Sequence, residues 1–141
     1  MIYYTKAGIH SRISSTAITD CVASDTYYPV QGTFDRHSHG GFDINGGITY
    51  IGQDKSFALN VTGTAQTNTT NTVITFGFFL NDVLVEASTS IIELDKTSDI
   101  NAFTVLAVLH AKTDDVFSVK LKSNKIAEIT VKSFSAIIQE F

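Results

Sequence analysis

The chain is predicted to be all-β, an antiparallel sandwich or barrel forming one domain, and three observations predict it. Apolar and polar residues alternate at period two through most of the second half, whereas the 3.6-residue repeat of an amphipathic helix is hard to find. The alternating runs are short and are separated by clusters of Gly, Asn, Asp, Ser and Thr. Thr, Ile, Val and Phe, which suit a pleated surface, are abundant, and Pro29 is the only proline. At 141 residues the chain is long enough to bury a real core.

Residues 1–15, "MIYYTKAGIHSRISS", are more polar than the rest of the chain and are expected to form an N-terminal arm, leaving a domain over 16–141. Residues 33–50, "TFDRHSHGGFDINGGITY", gather two histidines, two aspartates, an arginine and four glycines. From about residue 48 the strands run without interruption. Phe57, Leu59 and Val61 share one face, and Ile74, Phe76, Phe78 and Leu80 share another. Phe117, Val119 and Leu121 point inward from "VFSVKLK", while "IAEITV" and "FSAIIQEF" close the chain in the same manner. Turn signals lie between these runs: "GQDK", "TNTTN", "NDV", "DKTSD", "TDD" and "KSNK".

Two strands break simple alternation. In residues 103–109, Phe103, Val105, Ala107 and Leu109 make one face, and Leu106 and Val108 join Thr104 on the other. At the C-terminus Phe134, Ala136 and Ile138 oppose Ile137 and Phe141. A sandwich strand needs only one apolar face, so a second one implies another cover. Neighbouring subunits are the expected cover, and the chain's own N-terminal segment is the alternative.

Composition narrows the function classes. A net charge of −4 disfavours broad affinity for nucleic acid or anionic lipid. Lys120, Lys122 and Lys125 read as a solvated face. Cys21, the only cysteine, excludes an intrachain disulfide and reads as a buried small residue. No signal peptide is visible, and the longest apolar run, "FTVLAVLHA", is too short to span a bilayer. A reducing cytoplasm is the expected place of folding. On an extended segment Asp35, His37 and His39 project from one side, a weak candidate set for zinc or nickel. The glycines around them favour a loop instead, and His10 and His110 have no evident partners. No Gly-x-Ser-x-Gly elbow, phosphate loop or cysteine pair is present, so no enzyme is expected and no cofactor.

The order "GGITYIG", "FALNVTG", "VITFGFFLNDVLV", an apolar strand, "KTDD", "VFSVKLK" and "ITVKSFSAII" resembles the complement-type or tumour-necrosis-factor-like jelly roll. In particular it resembles the versions found in bacteriophage virion proteins, both capsid decoration proteins and fibre heads. The likeness covers roughly residues 46 to 141. Its most specific element is the turn around Asn81 followed by "DDVFSV" at 114–119. Asn81-Asp82 stands where the family has Asn-Gly, and Asp114-Asp115 where it has Gly-Asp.

The resemblance implies a sandwich of about ten strands assembling as a compact homotrimer. Strands matching 56–65, 102–110 and 132–140 would lie in the inner sheet facing the threefold axis. The expected interface residues are Phe103, Val105, Leu106, Val108, Phe134, Ile137, Ile138 and Phe141. The implied function is a trimeric decoration or cement protein on the outer capsid surface of the virion, with the major capsid protein as partner. Ile2, Tyr3 and Tyr4 of the arm would dock on the shell, since aromatic anchors dominate interfaces. The alternative is the receptor-binding head of a tail fibre or spike, recognising a host surface glycan or protein. No repeat or heptad precedes the sandwich, which favours decoration.

Overall fold

The computed structural model describes residues 6–141, and their strands form two antiparallel sheets. Sheet I holds β1 (Gly8–Thr16), β2 (Ile18–Cys21), β4 (Gly32–Ser38), β7 (Lys55–Thr67), β11 (Asn101–Ala111) and β13 (Ala127–Glu140). Sheet II holds β3 (Tyr28–Pro29), β5 (Phe42–Asp43), β6 (Ile48–Tyr50), β8 (Thr72–Leu80), β9 (Val83–Leu84), β10 (Ser90–Leu94) and β12 (Val116–Ser123). Sheet I runs β11-β7-β13-β1-β4, with β2 beside the first part of β13. Sheet II runs β10-β8-β12-β6-β5, with β3 on β12 and β9 on β8. The three strands expected to share a sheet, β7, β11 and β13, do so. No helix among the described residues is long and apolar enough to cross a membrane.

Alternation places the core. Phe57, Leu59 and Val61 of β7 and Phe103 and Val105 of β11 point across to Ile74, Phe76 and Phe78 of β8, all buried. Phe76 and Phe103 stack at 3.7 Å between ring centres, joining the sheets. At the other end Phe42, Tyr50, Phe57 and Phe117 pack with ring centres 4.9 to 6.1 Å apart. Such aromatic pairs add about 0.5–1.5 kcal/mol each beyond the area they bury.

The turns form where the sequence signals lie. Asn81 and Asp82 both adopt positive φ, 53° and 63°, the geometry that matches the twist of a two-residue hairpin. Asn81 also ties the β8–β9 hairpin to β12. Its Nδ2 donates to Asp115 Oδ1 at 2.8 Å, and its Oδ1 accepts the Val116 N–H at 2.8 Å. The two halves of the most specific sequence element therefore touch.

The expected arm over residues 1–15 is corrected in its second half. β1 begins at Gly8 and is hydrogen-bonded between β13 and β4. Ile9 and Ser11 are buried on its inner side, so removing it would open the sheet. A bulge in β13 between Lys132 and Ser135, with Ser133 at φ 53°, bends that strand. It separates the stretch of β13 that pairs with β2 from the stretch that pairs with β1. Ile2, Tyr3 and Tyr4 lie outside the described residues.

Candidate functional site

Strand register lays out the outer face of sheet I row by row. Leu106 pairs with Asn60, Asn60 with Ile137, Ile137 with His10, and His10 with His37. The row on one side runs Val108, Ala58, Gln139 and Gly8, and the row on the other Thr104, Thr62, Ser135, Arg12 and Asp35. The face is thus divided. Its β11 side sets Leu106, Val108 and Ala58 among Asn60, Thr62, Thr104 and His110, and its β4 side is polar throughout and carries His37. Phe141 continues the outward parity of Ile137 and Gln139, and its N–H donates to the Ser56 carbonyl.

The eight expected interface residues separate by this parity. Leu106, Val108, Ile137 and Phe141 face outward and are 60, 66, 42 and 62% exposed. Phe103, Val105, Phe134 and Ile138 are corrected: they point toward sheet II and are buried in the chain's own core. Period-two geometry cannot present both sets to the same side. Scattered exposed apolar residues are ordinary, as Val22, Val83 and Ile126 illustrate. Four on one sheet face, Leu106 and Val108 on β11 and Ile137 and Phe141 across β7 from them, make a denser group than that.

The histidines sit differently from their sequence reading. Asp35 and His37 share the outer side of β4, and His39 lies just past that strand's end. Asp35 is 3.8 Å from Arg12. Among the described residues no group of three or more His, Cys, Asp or Glu is placed to hold a metal. His10 and His110 do have partners: Ser135 Oγ at 3.2 Å from His10 Nε2, and Asp54 at 3.8 Å from His110 Nε2.

Several carboxylates hold turns and strand ends together. Asp99 Oδ2 accepts the Lys96 N–H and Asp115 Oδ2 the Lys112 N–H, each closing a turn. Glu140 accepts the Ala7 N–H at 2.8 Å and Lys55 Nζ at 2.7 Å. The hydrogen bond from Lys55 and the one from Ala7 hold the Glu140 carboxyl below its usual range, and Glu140 raises Lys55 in turn. Cys21 is fully buried, and burial pushes its thiol up, away from the reactive thiolate.

The outer face of sheet II is covered by its own chain around Phe79, while Ile91 on the edge strand β10 stays exposed. Tyr27 packs edge-on against Phe79 at 4.9 Å, Lys120 Nζ lies 4.9 Å from that ring's centre, and Lys122 Nζ lies 5.0 Å from the centre of Tyr27. Lys120 also meets Asp82 at 3.1 Å. These lysines are bound to aromatic rings and are not a freely solvated cluster.

Two antiparallel sheets in these strand orders define a jelly roll of the tumour-necrosis-factor type. Solved structures agree on that fold. Murine APRIL at pH 5.0 superposes with a TM-score of 0.65 at 14% identity, over 96% of this chain and 99% of that one. Eiger TNF from S. frugiperda superposes with a TM-score of 0.59 at 10% identity, over 96% and 91%. At such identities the likeness is one of fold. No protein-family model and no curated protein sequence matches the chain.

Proposed function

We propose that the protein is a self-assembling structural module that acts by binding: a homotrimer closed through the bare half of sheet I, decorating the outer surface of a bacteriophage capsid. The observation that carries this reading is the outward group Leu106, Val108, Ile137 and Phe141, which the protomer leaves exposed. β11 is an edge strand, and an apolar edge invites uncontrolled pairing unless something closes it. A ring of copies supplies both the cover and the stop. Burying one such side chain contributes about 1.5–3 kcal/mol, so the group suffices for a permanent oligomer. The number three and the virion setting rest on the resemblance carried by the Asn81 turn and the "DDVFSV" segment. Aspartates engaged in closing turns support binding over catalysis.

The major capsid protein is the proposed partner, reached by the segment containing Ile2, Tyr3 and Tyr4. Sedimentation velocity of the purified protein tests the assembly, and a monodisperse monomer at micromolar concentration overturns it. Co-sedimentation with undecorated capsids tests the partner. Because β1 begins at Gly8, the informative truncation removes residues 1–5 and spares the strand. Binding that is absent, or indifferent to that truncation, overturns capsid docking through this segment. Binding to host cells without binding to capsids assigns the protein to the receptor-binding head of a fibre or spike.

A further inference from the structure

The sandwich is open along one side, between β4 at the edge of sheet I and the loop leading into β6 in sheet II. A cavity of about 240 Å³ lies there, walled by Ile48, Phe117, Val119, Phe134 and Ala136. One charged side chain lines it, Arg36, which shares the inner side of β4 with Phe34 and stands directly across from Ser11.

Among the described residues Arg36 has no anionic partner. The ion pairs within 4.0 Å among the described residues are Arg12–Asp35, Lys55–Glu140, His110–Asp54 and Lys120–Asp82, and none includes it. Residues 1–5, Met-Ile-Tyr-Tyr-Thr, carry no acidic side chain. The guanidinium carbon lies 5.0 Å from the centre of the Phe34 ring, and Nε is buried with no hydrogen-bond partner. Burial lowers the pKa of the group. Buried donors are almost always paired in folded proteins, and an unpaired one calls for an explanation.

A charge pointing inward from an edge strand can blunt that edge against stray pairing. That role needs only a hydrated charge at the rim. It accounts for neither the apolar cleft behind Arg36 nor the dry Nε.

We propose that the cleft between β4 and β6 binds a small carboxylate with a compact apolar body, the carboxylate accepting from Arg36 and the body filling the space between Ile48, Phe117 and Ala136. Guanidinium presents a planar fork that matches a carboxylate with two parallel hydrogen bonds. A phosphate dianion would leave one charge uncompensated against apolar walls. The volume falls below the roughly 300–1,000 Å³ of drug-sized sites, which limits the ligand to about the size of benzoate or hexanoate. The site lies between the sheets and uses none of the outward residues of sheet I, so it is independent of the trimer interface.

The test is a chemical-shift titration of the isotope-labelled full chain with benzoate and hexanoate, set beside benzyl alcohol and inorganic phosphate. Saturable shifts centred on β4, β6 and β12 are expected for the acids, with roughly millimolar affinity. Benzyl alcohol and phosphate are expected to bind at least roughly tenfold more weakly. Arg36→Gln should weaken the acids by a similar factor, and Ala136→Leu should abolish binding by filling the cavity while leaving Arg36 in place. Comparing acid with alcohol needs no variant, so it decides the matter even if a substitution unfolds the chain. Equal binding of acid and alcohol, phosphate binding as well as the acids, or no saturable shift overturns the proposal. So does a folded Arg36→Gln variant that binds like the parent.

Discussion

The two outer faces of this sandwich handle apolar surface in opposite ways. On sheet II the chain shields its large outward aromatic, although Ile91 at the edge stays exposed. Tyr27 and Lys120 close over Phe79, and Leu84 reaches so far over Gly77 that its Cδ1 would lie 2.6 Å from a Cβ at that position. Among the described residues sheet I has no such device, and Leu106 and Val108 stay exposed on an edge strand. The difference teaches that the bare face is not a failure of local means, since the same chain builds a cover on its other side. Under the proposed assembly, what separates the faces is whether the cover is intramolecular, and substitutions on each face can press on that distinction.

The largest effect is expected on assembly. Leu106→Asp combined with Val108→Asp removes about 1.5–3 kcal/mol of burial per side chain and subunit, and sets desolvated charge where apolar contact was proposed. Sedimentation velocity should show dissociation, with the far-UV circular dichroism of the parent retained. Ile91→Asp, an equally exposed substitution on the opposite face beside Thr75, should leave sedimentation unchanged. If Ile91→Asp dissociates the protein and the double variant does not, the faces have been assigned the wrong way round.

Stability of the protomer should show the reverse asymmetry. Phe79→Ala strips a nearly buried ring from beneath Tyr27 and Lys120 and should cost about 3 kcal/mol in urea unfolding of a dissociated background. In that same background Ile137→Ala should change stability by less than about 0.5 kcal/mol, because its side chain meets solvent. A large loss at Ile137 in the monomer would mean that the chain covers this position after all.

Asn81→Ala comes next, at about 1–2 kcal/mol. Part is the positive φ that alanine resists, and part is the pair of hydrogen bonds to Asp115 and Val116. Asn81→Gly should recover only the backbone part, and full recovery would show that the link to β12 contributes nothing.

Much of this architecture is legible in the residues. β7, β8, β11, β12 and β13 follow period two closely, and the loops between them begin at the Asn, Asp and Gly clusters. β1 is not legible, because its buried positions include Ser11 and its apolar content is low. Two apolar faces on β11 and β13 are visible, but which face meets the opposite sheet depends on strand partners that only the fold supplies. For that reason a reading of residues alone groups Phe103, Val105, Phe134 and Ile138 with residues of the opposite side. The Arg36 cavity draws on Ser11, Ile48, Phe117 and Ala136, positions far apart along the chain with no shared spacing to announce them. The His10–His37 row across β1 and β4 is hidden for the same reason.

The smallest effect concerns the end of sheet I, where Glu140 joins Lys55 and the Ala7 N–H. Its carboxyl is held below the ordinary value of 4.5, chiefly by the Lys55 hydrogen bond and then by Ala7. A carboxyl with a lowered folded-state pKa binds its proton more weakly in the folded chain than in the unfolded one. Its stabilisation is therefore complete above the unfolded value and is lost as pH falls through the folded one. Lys55 is raised by the same contact, so its share is lost only as pH rises through that raised value. Glu140→Gln should accordingly lower the melting temperature slightly at neutral pH. It should also flatten the acid side of the stability curve, and the two proteins should converge at low pH. Equal slopes below pH 4.5 in parent and variant would show that this contact contributes nothing to acid sensitivity, leaving the end of the sheet held by backbone pairing alone.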